Sequence, residues 1–493
     1  MNKVASNQLH RRIEKIKDII LVVLFFTTIL LLYFFWENEL FEDFQLTDIV
    51  SSQEEYEVIP LEDVIVPDNI YASSGNGVYV KVYSGKRDLW KRAVGEIQKF
   101  GESSGIFVGE ITREQYLDAM SGYTSVQFDL GYEVPFAQFC EYYKIARSQS
   151  YDTVEAVSTI AFSGASGESL FIVQEQKGKY YRLVSDGERT QLRTIAEEIA
   201  ASDDASYYPI SEVMGVENTT MIPWEASVSY GPLKWETERQ RGEDEDVTAL
   251  AQSFFGENFD FIRRMVDTKG NVTYMYGYGQ KTFIRYADGP LEYKEEAGNG
   301  SGGTPSFYGS LDTALQYVAA HGSWRTFDDE AVSVFLSRAV SIEQNKQKGY
   351  RFEFGLMAGD LPVFYEQGIP LAVEVVNGQV TYYQRNLIQY DLPEVQDVSV
   401  QTNVANVIAS NYTAIYQLLN PQEAMTRAPK EEWFDEVVAG INDARLGYFR
   451  SVSNAESAER QEMVPAWVVT VNNRLRVFFD VNSGELLGSR TLN

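Results

Sequence analysis

The first forty residues combine a charge-free, mostly apolar run with opposite charges on its two flanks. The run extends from Ile19 to Trp36, and eighteen residues at the helical rise span about 27 Å, close to the hydrocarbon thickness of a bilayer. Five cations precede the run and four acids follow it: Lys3, Arg11, Arg12, Lys15 and Lys17, then Glu37, Glu39, Glu42 and Asp43. Because positive flanks stay cytoplasmic, the pattern predicts a cytoplasmic tail (1–18), a transmembrane helix (19–36) and an extracellular remainder.

The apolar run is expected to stay in the protein as the anchor of a single-pass cell-membrane protein. It is longer than the hydrophobic part of a signal peptide, and no small-x-small cleavage site follows it. Hydroxyl-bearing residues favour contacts between membrane helices, although each hydroxyl could instead bond to a carbonyl of its own helix. The face predicted to meet a partner helix comprises Leu24, Thr27, Thr28, Leu31 and Phe35.

After a polar, acidic spacer (37–66), the pattern of apolar positions predicts an N-terminal α+β domain over 67–235. Residues 78–83 alternate as a strand does. Residues 88–100 have the spacing of a helix with one apolar face.

Further elements of this domain follow from local turn and cap patterns. Thr112, with Gln115 three residues later, predicts the start of a helix. A hairpin is expected around Lys177-Gly178, and an amphipathic helix at 190–201. The all-polar stretch 236–244 is interpreted as a linker.

Three helices with one apolar stripe follow the linker, and several short strands follow each helix. The spacing i, i+3, i+4 starts at Val247, Leu311 and Val404, and it buries one face of a helix that lies on a sheet. The fold class predicted is therefore α+β, with repeated units of a helix and an antiparallel meander. The predicted regions are a central one over 244–390, with a loop at 296–306, and a C-terminal domain over 398–493.

The strands of these units are marked by turn residues. Asn377-Gly378 and Asn472-Asn473 each separate two strand-like runs and predict hairpins. Tyr274, Tyr276 and Tyr278 alternate with other residues, so one face of their strand is expected to be aromatic.

The net charge of the chain limits the classes of partner that it is expected to bind. It has 42 basic and 71 acidic residues and a formal net charge of −29; residues 1–18 carry +3, so the remainder carries −32. Such a surface repels phosphate backbones, so nucleic-acid binding is not expected. Cys140 is the single cysteine, and the lack of intrachain disulfides fits the outer face of a bacterial membrane better than an extracellular eukaryotic protein.

Residues able to perform catalysis are scarce. His10 and His321 are the only histidines, so a His-ligated metal site has almost no donors. Gly322 is expected to end a helix and Trp324 to cover the core beside it, which gives His321 a structural position.

Two other patterns receive structural readings. Cys140 has no histidine near it in the sequence and is expected to be a buried structural residue. The spacing Gly298-x-Gly300-x-x-Gly303 lacks the strand and helix of a dinucleotide site. We therefore assign no catalytic, cofactor-binding or metal-binding residue and expect no cofactor.

A series of short motifs runs from Ala251 to Tyr390: Ser253-Phe254-Phe255, Ile262-Arg263-Arg264, Gly270-Asn271-Val272-Thr273-Tyr274, Leu291-Glu292-Tyr293, His321-Gly322-Ser323-Trp324, Tyr350-Arg351-Phe352, Leu361-Pro362-Val363-Phe364 and Asn377-Gly378-Gln379-Val380 with Arg385. In this order they resemble the YycH family, extracytoplasmic regulators of a Gram-positive cell-wall two-component system. The anchor that ends in Trp36 is also similar. Residues 60–235 resemble the family only in the order of their predicted elements. Residues 400–493 resemble it through Pro465-Ala466-Trp467 and the final strands.

The resemblance implies a YycI-like membrane protein and a sensor histidine kinase, called WalK or YycG, as partners, reached through membrane helices and the ectodomain. It implies no catalytic residues. The function predicted is that of a membrane-anchored extracytoplasmic regulator in signal transduction and cell-wall homeostasis. The alternatives are a membrane-anchored cell-wall hydrolase that uses paired carboxylates, and a scaffold or inhibitor of secreted enzymes.

Overall fold

The computed structural model describes Thr27 and Thr28 and most of the chain after residue 57. The described residues are 27–28, 58–102, 107–146, 152–165, 169–184, 191–202, 206–224, 233–237, 244–287, 289–298, 303–322, 324, 333–390, 400, 402–424, 430, 432–451 and 461–492. The chain divides into two compact units, Met1–Tyr56 and Glu57–Asn493. Everything below concerns the second unit unless the first is named.

The predicted membrane anchor falls in the first unit. Thr27 and Thr28 are helical and exposed, whereas Leu24, Leu31 and Phe35 lie outside the described residues. No helix in the described part of the chain is long and apolar enough to cross a membrane. The transmembrane helix over 19–36 therefore stays a prediction.

The first half of the second unit is built on a nine-stranded antiparallel sheet with helices between its strands. Its elements are α1 (Leu61–Val64), β1 (Asn69–Ser74), β2 (Tyr79–Lys81), α2 (Lys86–Gly101), β3 (Phe107–Ile111), α3 (Arg113–Ser121), β4 (Thr124–Pro135), α4 (Phe136–Tyr142), β5 (Ala156–Ser163), β6 (Ser169–Gln174), β7 (Lys179–Val184), α5 (Leu192–Ala200), β8 (Ser206–Pro209), α6 (Ile210–Met214) and β9 (Met221–Pro223). The strand order is β3-β7-β6-β5-β4-β1-β2-β8-β9.

The predicted helix cap and hairpin of this half are confirmed. The side chain of Thr112 accepts a hydrogen bond from the Gln115 backbone, and the Gln115 side chain accepts one in return, so a capping box starts α3. The hairpin around Lys177-Gly178 joins β6 and β7, with Gly178 at φ 59°. Such a conformation suits glycine because it has no Cβ.

The second half forms a 15-stranded sheet, which is also covered by helices. Its elements are β10 (Leu233–Thr237), α7 (Asp244–Phe255), β11 (Arg263–Val266), β12 (Val272–Tyr276), β13 (Lys281–Arg285), β14 (Leu291–Glu295), α8 (Phe307–Ala320), β15 (Ser333–Gln344), β16 (Gln347–Ala358), β17 (Leu361–Tyr365), β18 (Leu371–Val376), β19 (Gln379–Arg385), β20 (Ile388–Tyr390), α9 (Val404–Leu419), α10 (Pro421–Ala424), α11 (Glu432–Ala439), β21 (Ile441–Arg450), β22 (Gln461–Val471), β23 (Leu475–Asp480) and β24 (Leu486–Thr491). Its main path is β11-β12-β13-β14-β19-β18-β16-β17-β21-β22-β10-β20, with β15 beside β16, and β23 and β24 extending from β22.

The α+β class and the sequence of helices and strands agree with the prediction, but the predicted meanders are not separate. Strand β14 pairs with β19, and β17 pairs in parallel with β21, so the three sets of strands join into one sheet. Pairing of this kind satisfies backbone groups that the end strand of an isolated meander would leave open. Both predicted hairpins are present, with positive φ at Asn377, Gly378, Asn472 and Asn473.

Three local predictions need correction. Residues 58–66 belong to the folded unit, not to a spacer, because Val64 and Ile65 are buried in the core. Strand β10, at the end of the predicted N-terminal domain and the start of the linker, pairs with β22 and β20 of the large sheet. Tyr278 lies beyond the end of β12 and is fully exposed, so the aromatic face of that strand does not extend to it.

The two sheets share one apolar core, and polar contacts cross between them. The Asn218 side chain donates to the carbonyls of Val438 and Ile441 at 2.7 and 2.8 Å. The rings of Tyr142 and Tyr308 stack with centroids 4.0 Å apart. These contacts hold the halves together on either side of a wide cleft.

Candidate functional site

A cleft of about 1090 Å³ lies between the two halves and is lined mainly by polar and charged side chains. One wall comes mainly from β1 and β4, and the other mainly from β15, β16, β17, β21, β23 and β24. Charged residues of the first wall and its rim are Asp68, Asp129, Glu133 and Glu175; those of the second are Arg338, Arg351, Glu353, Glu366, Asp443, Arg445, Arg476 and Arg490. The cleft is therefore acidic on one side and rich in arginine on the other.

An ionic cluster connects the walls at one end of the cleft. Arg445 donates from Nη1 to Asp68 at 2.7 Å and from Nε to Asp443 at 2.6 Å, and its side chain is only 12% exposed. Asp443 and Arg445 share a face of β21 because strand residues two apart point the same way. Burial alone would raise the pKa of Asp68, but Arg445, with help from Lys86 and Lys81, holds it well below its usual range.

A buried lysine lies beside this cluster. Lys81 is 3% exposed, and its Nζ lies 5.4–5.7 Å from the ring centroids of Tyr71, Tyr83 and Tyr207. Burial, with the positive charges of Arg445 and Lys86, lowers the pKa of Lys81 to about 7. The side chain is thus neutral in a substantial fraction of molecules at neutral pH.

The acids on the other wall also influence each other. Asp129 accepts hydrogen bonds from the Gly131 backbone and the Asn69 side chain, and Glu133 accepts one from the Gln176 backbone. Glu175 is exposed to the cleft, but the walls reduce its hydration; this loss, with the charges of Asp129 and Glu133, raises the pKa of Glu175 to about 7. Repulsion among these acids can be relieved by a proton or by a bound cation.

A second candidate surface is strand β11, at one end of the large sheet. All four of its residues are exposed, and among the described strands it pairs only with β12. Four large apolar side chains around it are exposed by 46% to 107%: Phe261, Met265, Val266 and Tyr278. An open strand edge with apolar side chains is a typical site for pairing with another chain.

The structure places the other residues singled out from the sequence in supporting positions. Gly322, at φ 104°, follows the end of α8, and Trp324 is buried, as predicted. His321 contacts the backbone carbonyls of Tyr317 and Ser253 through its ring nitrogens. Cys140 is buried, also as predicted. Among the described residues, no group of three or more His, Cys, Asp or Glu residues is arranged to hold a metal ion.

Sequence reasoning missed the cleft and its cluster. Asp68 and Arg445 are 377 residues apart, and each alone looks like one of many solvated charges. One available indication was Lys81, a cation within the strand-like run 78–83, where neighbouring residues are apolar or aromatic. A charge in such a strand is buried only when other groups compensate it.

Comparison with known proteins identifies a fold rather than a sequence family. No protein-family model matches the chain, and no curated protein matches it. The structure is similar to that of YycH from Bacillus subtilis, with a TM-score of 0.53 and 12% sequence identity over 84% of this chain and 96% of that chain. An uncharacterized protein from Eubacterium rectale aligns over 54% of this chain and 86% of that chain, with a TM-score of 0.35 and 11% identity. The described chain has a YycH-like fold.

Proposed function

We propose that this chain is an extracytoplasmic regulator of a sensor histidine kinase in a cell-wall two-component system. The observation that supports this most is the similarity of fold to YycH over 96% of that chain. The order of motifs between Ala251 and Tyr390 agrees with it. On this proposal residues 19–36 anchor the protein in the cell membrane, with residues 1–18 cytoplasmic and the remainder outside.

A regulator of this kind acts by binding one signalling state of the kinase better than the other. In the membrane, we place the contact with the kinase and a YycI-like protein on the helix face made by Leu24, Thr27, Thr28, Leu31 and Phe35. Outside the membrane, we place a contact on β11. Its open edge offers backbone hydrogen bonds to an added strand, and Phe261 and Met265 offer apolar anchors.

The charge of β11 indicates what kind of strand would pair with it. Arg263 and Arg264 are exposed, and no ion pair joins either of them to another described residue. The chain as a whole is strongly acidic. A partner strand with acidic side chains would therefore meet a local positive surface, and that would favour this edge over the rest of the molecule.

The double variant Phe261→Ser/Met265→Ser should bind the purified WalK-like kinase roughly tenfold more weakly than the unchanged chain does, because two exposed anchors are lost. Binding is measured with both full-length proteins in nanodiscs. The matched control is Tyr123→Ser, which removes another exposed aromatic side chain, 48% exposed, from the opposite half. Thr27→Leu/Thr28→Leu in the same assay tests the helix face.

The outcomes separate the parts of the proposal. Absence of kinase binding by the unchanged chain contradicts the regulator function itself. Equal binding by the double variant and the Tyr123→Ser control contradicts only the β11 contact, and equal binding by the threonine variant contradicts only the helix face.

A second candidate function, hydrolysis of a cell-wall polymer by paired carboxylates, is favoured by the acids that share the cleft. A carboxyl group with a pKa near 7 suits a general acid, and Glu175 has this property beside Asp129 and Glu133. The test is release of soluble fragments from peptidoglycan by the full-length chain. If Glu175 is the general acid, Glu175→Gln should lower the rate of fragment release at least a hundredfold. The control Glu155→Gln should leave the rate unchanged, because the Glu155 carboxylate is exposed and pairs with Lys177. Absence of release by the unchanged chain rejects this candidate.

A further inference from the structure

The arginine-rich wall of the cleft contains two like charges that face each other across neighbouring strands. Arg476 on β23 is the direct cross-strand partner of Arg490 on β24, and both line the cleft. Side chains in such a pair start about 5 Å apart on one face of the sheet, and like charges there destabilise the fold. Stability therefore does not explain why two arginines are paired at this position.

Within the described part of the chain, neither arginine has a carboxylate partner. Arg476 donates from Nε to the Thr470 hydroxyl at 3.4 Å, and its guanidinium lies 4.7 Å from the centroid of the Phe364 ring. Burial, with the charges of Arg490 and Arg445, lowers the pKa of Arg476 to about 10. Burial also lowers the pKa of Arg490, with a contribution from Arg338. Both groups remain charged at neutral pH. The charges of Asp443 and Asp68 oppose the shift of Arg476, and that of Glu353 opposes the shift of Arg490, but none of these acids forms a described ion pair with either arginine.

Most of the nearby acids are already engaged by other arginines, and Glu366 accepts a hydrogen bond from the Ser451 hydroxyl at 3.0 Å. Arg445 binds Asp68 and Asp443. Arg351 donates to Glu353 at 2.9 Å and to Glu374 at 2.7 Å. The positive charge of Arg476 and Arg490 is therefore left to face the cleft.

The opposite wall carries an excess of negative charge. Asp129, Glu133 and Glu175 line the cleft, and no ion pair joins any of them to a described cation. Their hydrogen bonds come from neutral backbone and amide groups. A single cleft thus offers guanidinium groups at one wall and carboxylates at the other, and its volume of about 1090 Å³ is slightly above the range of ordinary ligand sites.

We propose that this cleft binds a zwitterionic, peptide-like ligand, with a ligand carboxylate on Arg476 and Arg490 and a ligand ammonium group near Glu175, Glu133 and Asp129. Two guanidinium groups side by side match a carboxylate, which can accept charge-assisted hydrogen bonds from both. The bound carboxylate relieves the repulsion of the arginine pair, and the ammonium group relieves that of the acids. This binding does not depend on any contact with a kinase.

The test compares the thermal unfolding midpoint of the full-length chain in detergent micelles with and without tetraalanine, a peptide with one free ammonium and one free carboxylate. We expect a rise of about 2 °C or more over sodium chloride at equal ionic strength. Tetraalanine amide and N-acetyltetraalanine should each give a smaller rise, because each lacks one of the two charges.

Variants of the arginine pair distinguish binding from a structural role. Arg476→Gln should raise the midpoint without peptide, because it removes like-charge repulsion, and should abolish the response to tetraalanine. Arg490→Gln should behave in the same way. The matched control Arg474→Gln changes an exposed arginine two residues away, outside the cleft lining, and should leave the response intact.

Several results would overturn the proposal. These are no rise with tetraalanine, an equal rise with its amide, or an unchanged response in Arg476→Gln and Arg490→Gln. A lower midpoint without peptide in both variants would assign the pair a structural role. A larger rise with inorganic phosphate, lost in the same variants, would replace the peptide carboxylate by a phosphoryl ligand.

Discussion

Arg445→Met should lower the free energy of unfolding by about 3 kcal/mol at pH 7, because it leaves two partly buried carboxylates without their cation. Arg445 bonds to Asp68 and Asp443, whose side chains are only 19% and 23% exposed. Methionine fills much of the space of the arginine stem, so the loss reports the charge rather than a cavity. Urea unfolding of the full-length chain, followed by tryptophan fluorescence, measures the effect.

Two controls assign this loss to the cluster. Asp68→Asn/Asp443→Asn/Arg445→Met should recover most of it, since no uncompensated charge remains. Arg92→Met removes an ion pair to Glu198 in which both side chains are about half exposed, and should cost less than about 1 kcal/mol. Equal losses in Arg445→Met and Arg92→Met would show that the cluster contributes no more than a surface ion pair.

The pH dependence of the loss follows from the pKa of Asp68. Because Arg445 holds this pKa below its unfolded value, the stabilisation is fully present above about pH 4 and is lost as the pH falls towards the folded pKa. The deficit of Arg445→Met should therefore shrink in acid.

Local structure could be predicted from the sequence because its causes are local. The capping residues Thr112 and Gln115, and the hairpin at Asn377-Gly378, each depend on a few neighbouring positions. The joining of β17 to β21 in one sheet depends on residues such as Val363 and Tyr448, which are 85 positions apart. Neither hydrophobic periodicity nor a turn motif in the sequence indicates which strand edges will pair.

The charged residues of the cleft could not be predicted from the sequence for the same reason. Its charges come from strands of both halves, and Asp68 meets Arg445 only once the two sheets have packed. In a chain with 71 acidic residues, composition cannot distinguish Glu175 or Asp129 from a solvated carboxylate. Their position in the cleft and the carboxylates beside them distinguish them, and both are properties of the folded chain.

Lys81→Met should act in the opposite direction to Arg445→Met and raise the free energy of unfolding at pH 7 by about 2 kcal/mol. The folded pKa of Lys81 is about 7, below its usual value of 10.5, because burial opposes the charge. Between these values the unfolded chain binds a proton that the folded chain releases, so the unchanged protein should gain stability as pH rises. Methionine has no proton to bind and should remove this dependence.

The decisive measurement is urea unfolding at pH 7, 8 and 9, below the range in which tyrosines ionise. The unchanged chain should gain about 2 kcal/mol over this interval, whereas Lys81→Met should gain much less, with Lys86 accounting for the remainder because burial lowers its pKa too. Lys91→Met, at a side chain that is half exposed, should keep the full dependence. If Lys81→Met instead destabilises the protein at pH 7, the prediction is wrong. The rings of Tyr71, Tyr83 and Tyr207 then compensate the ammonium charge and form a site that stabilises a cation.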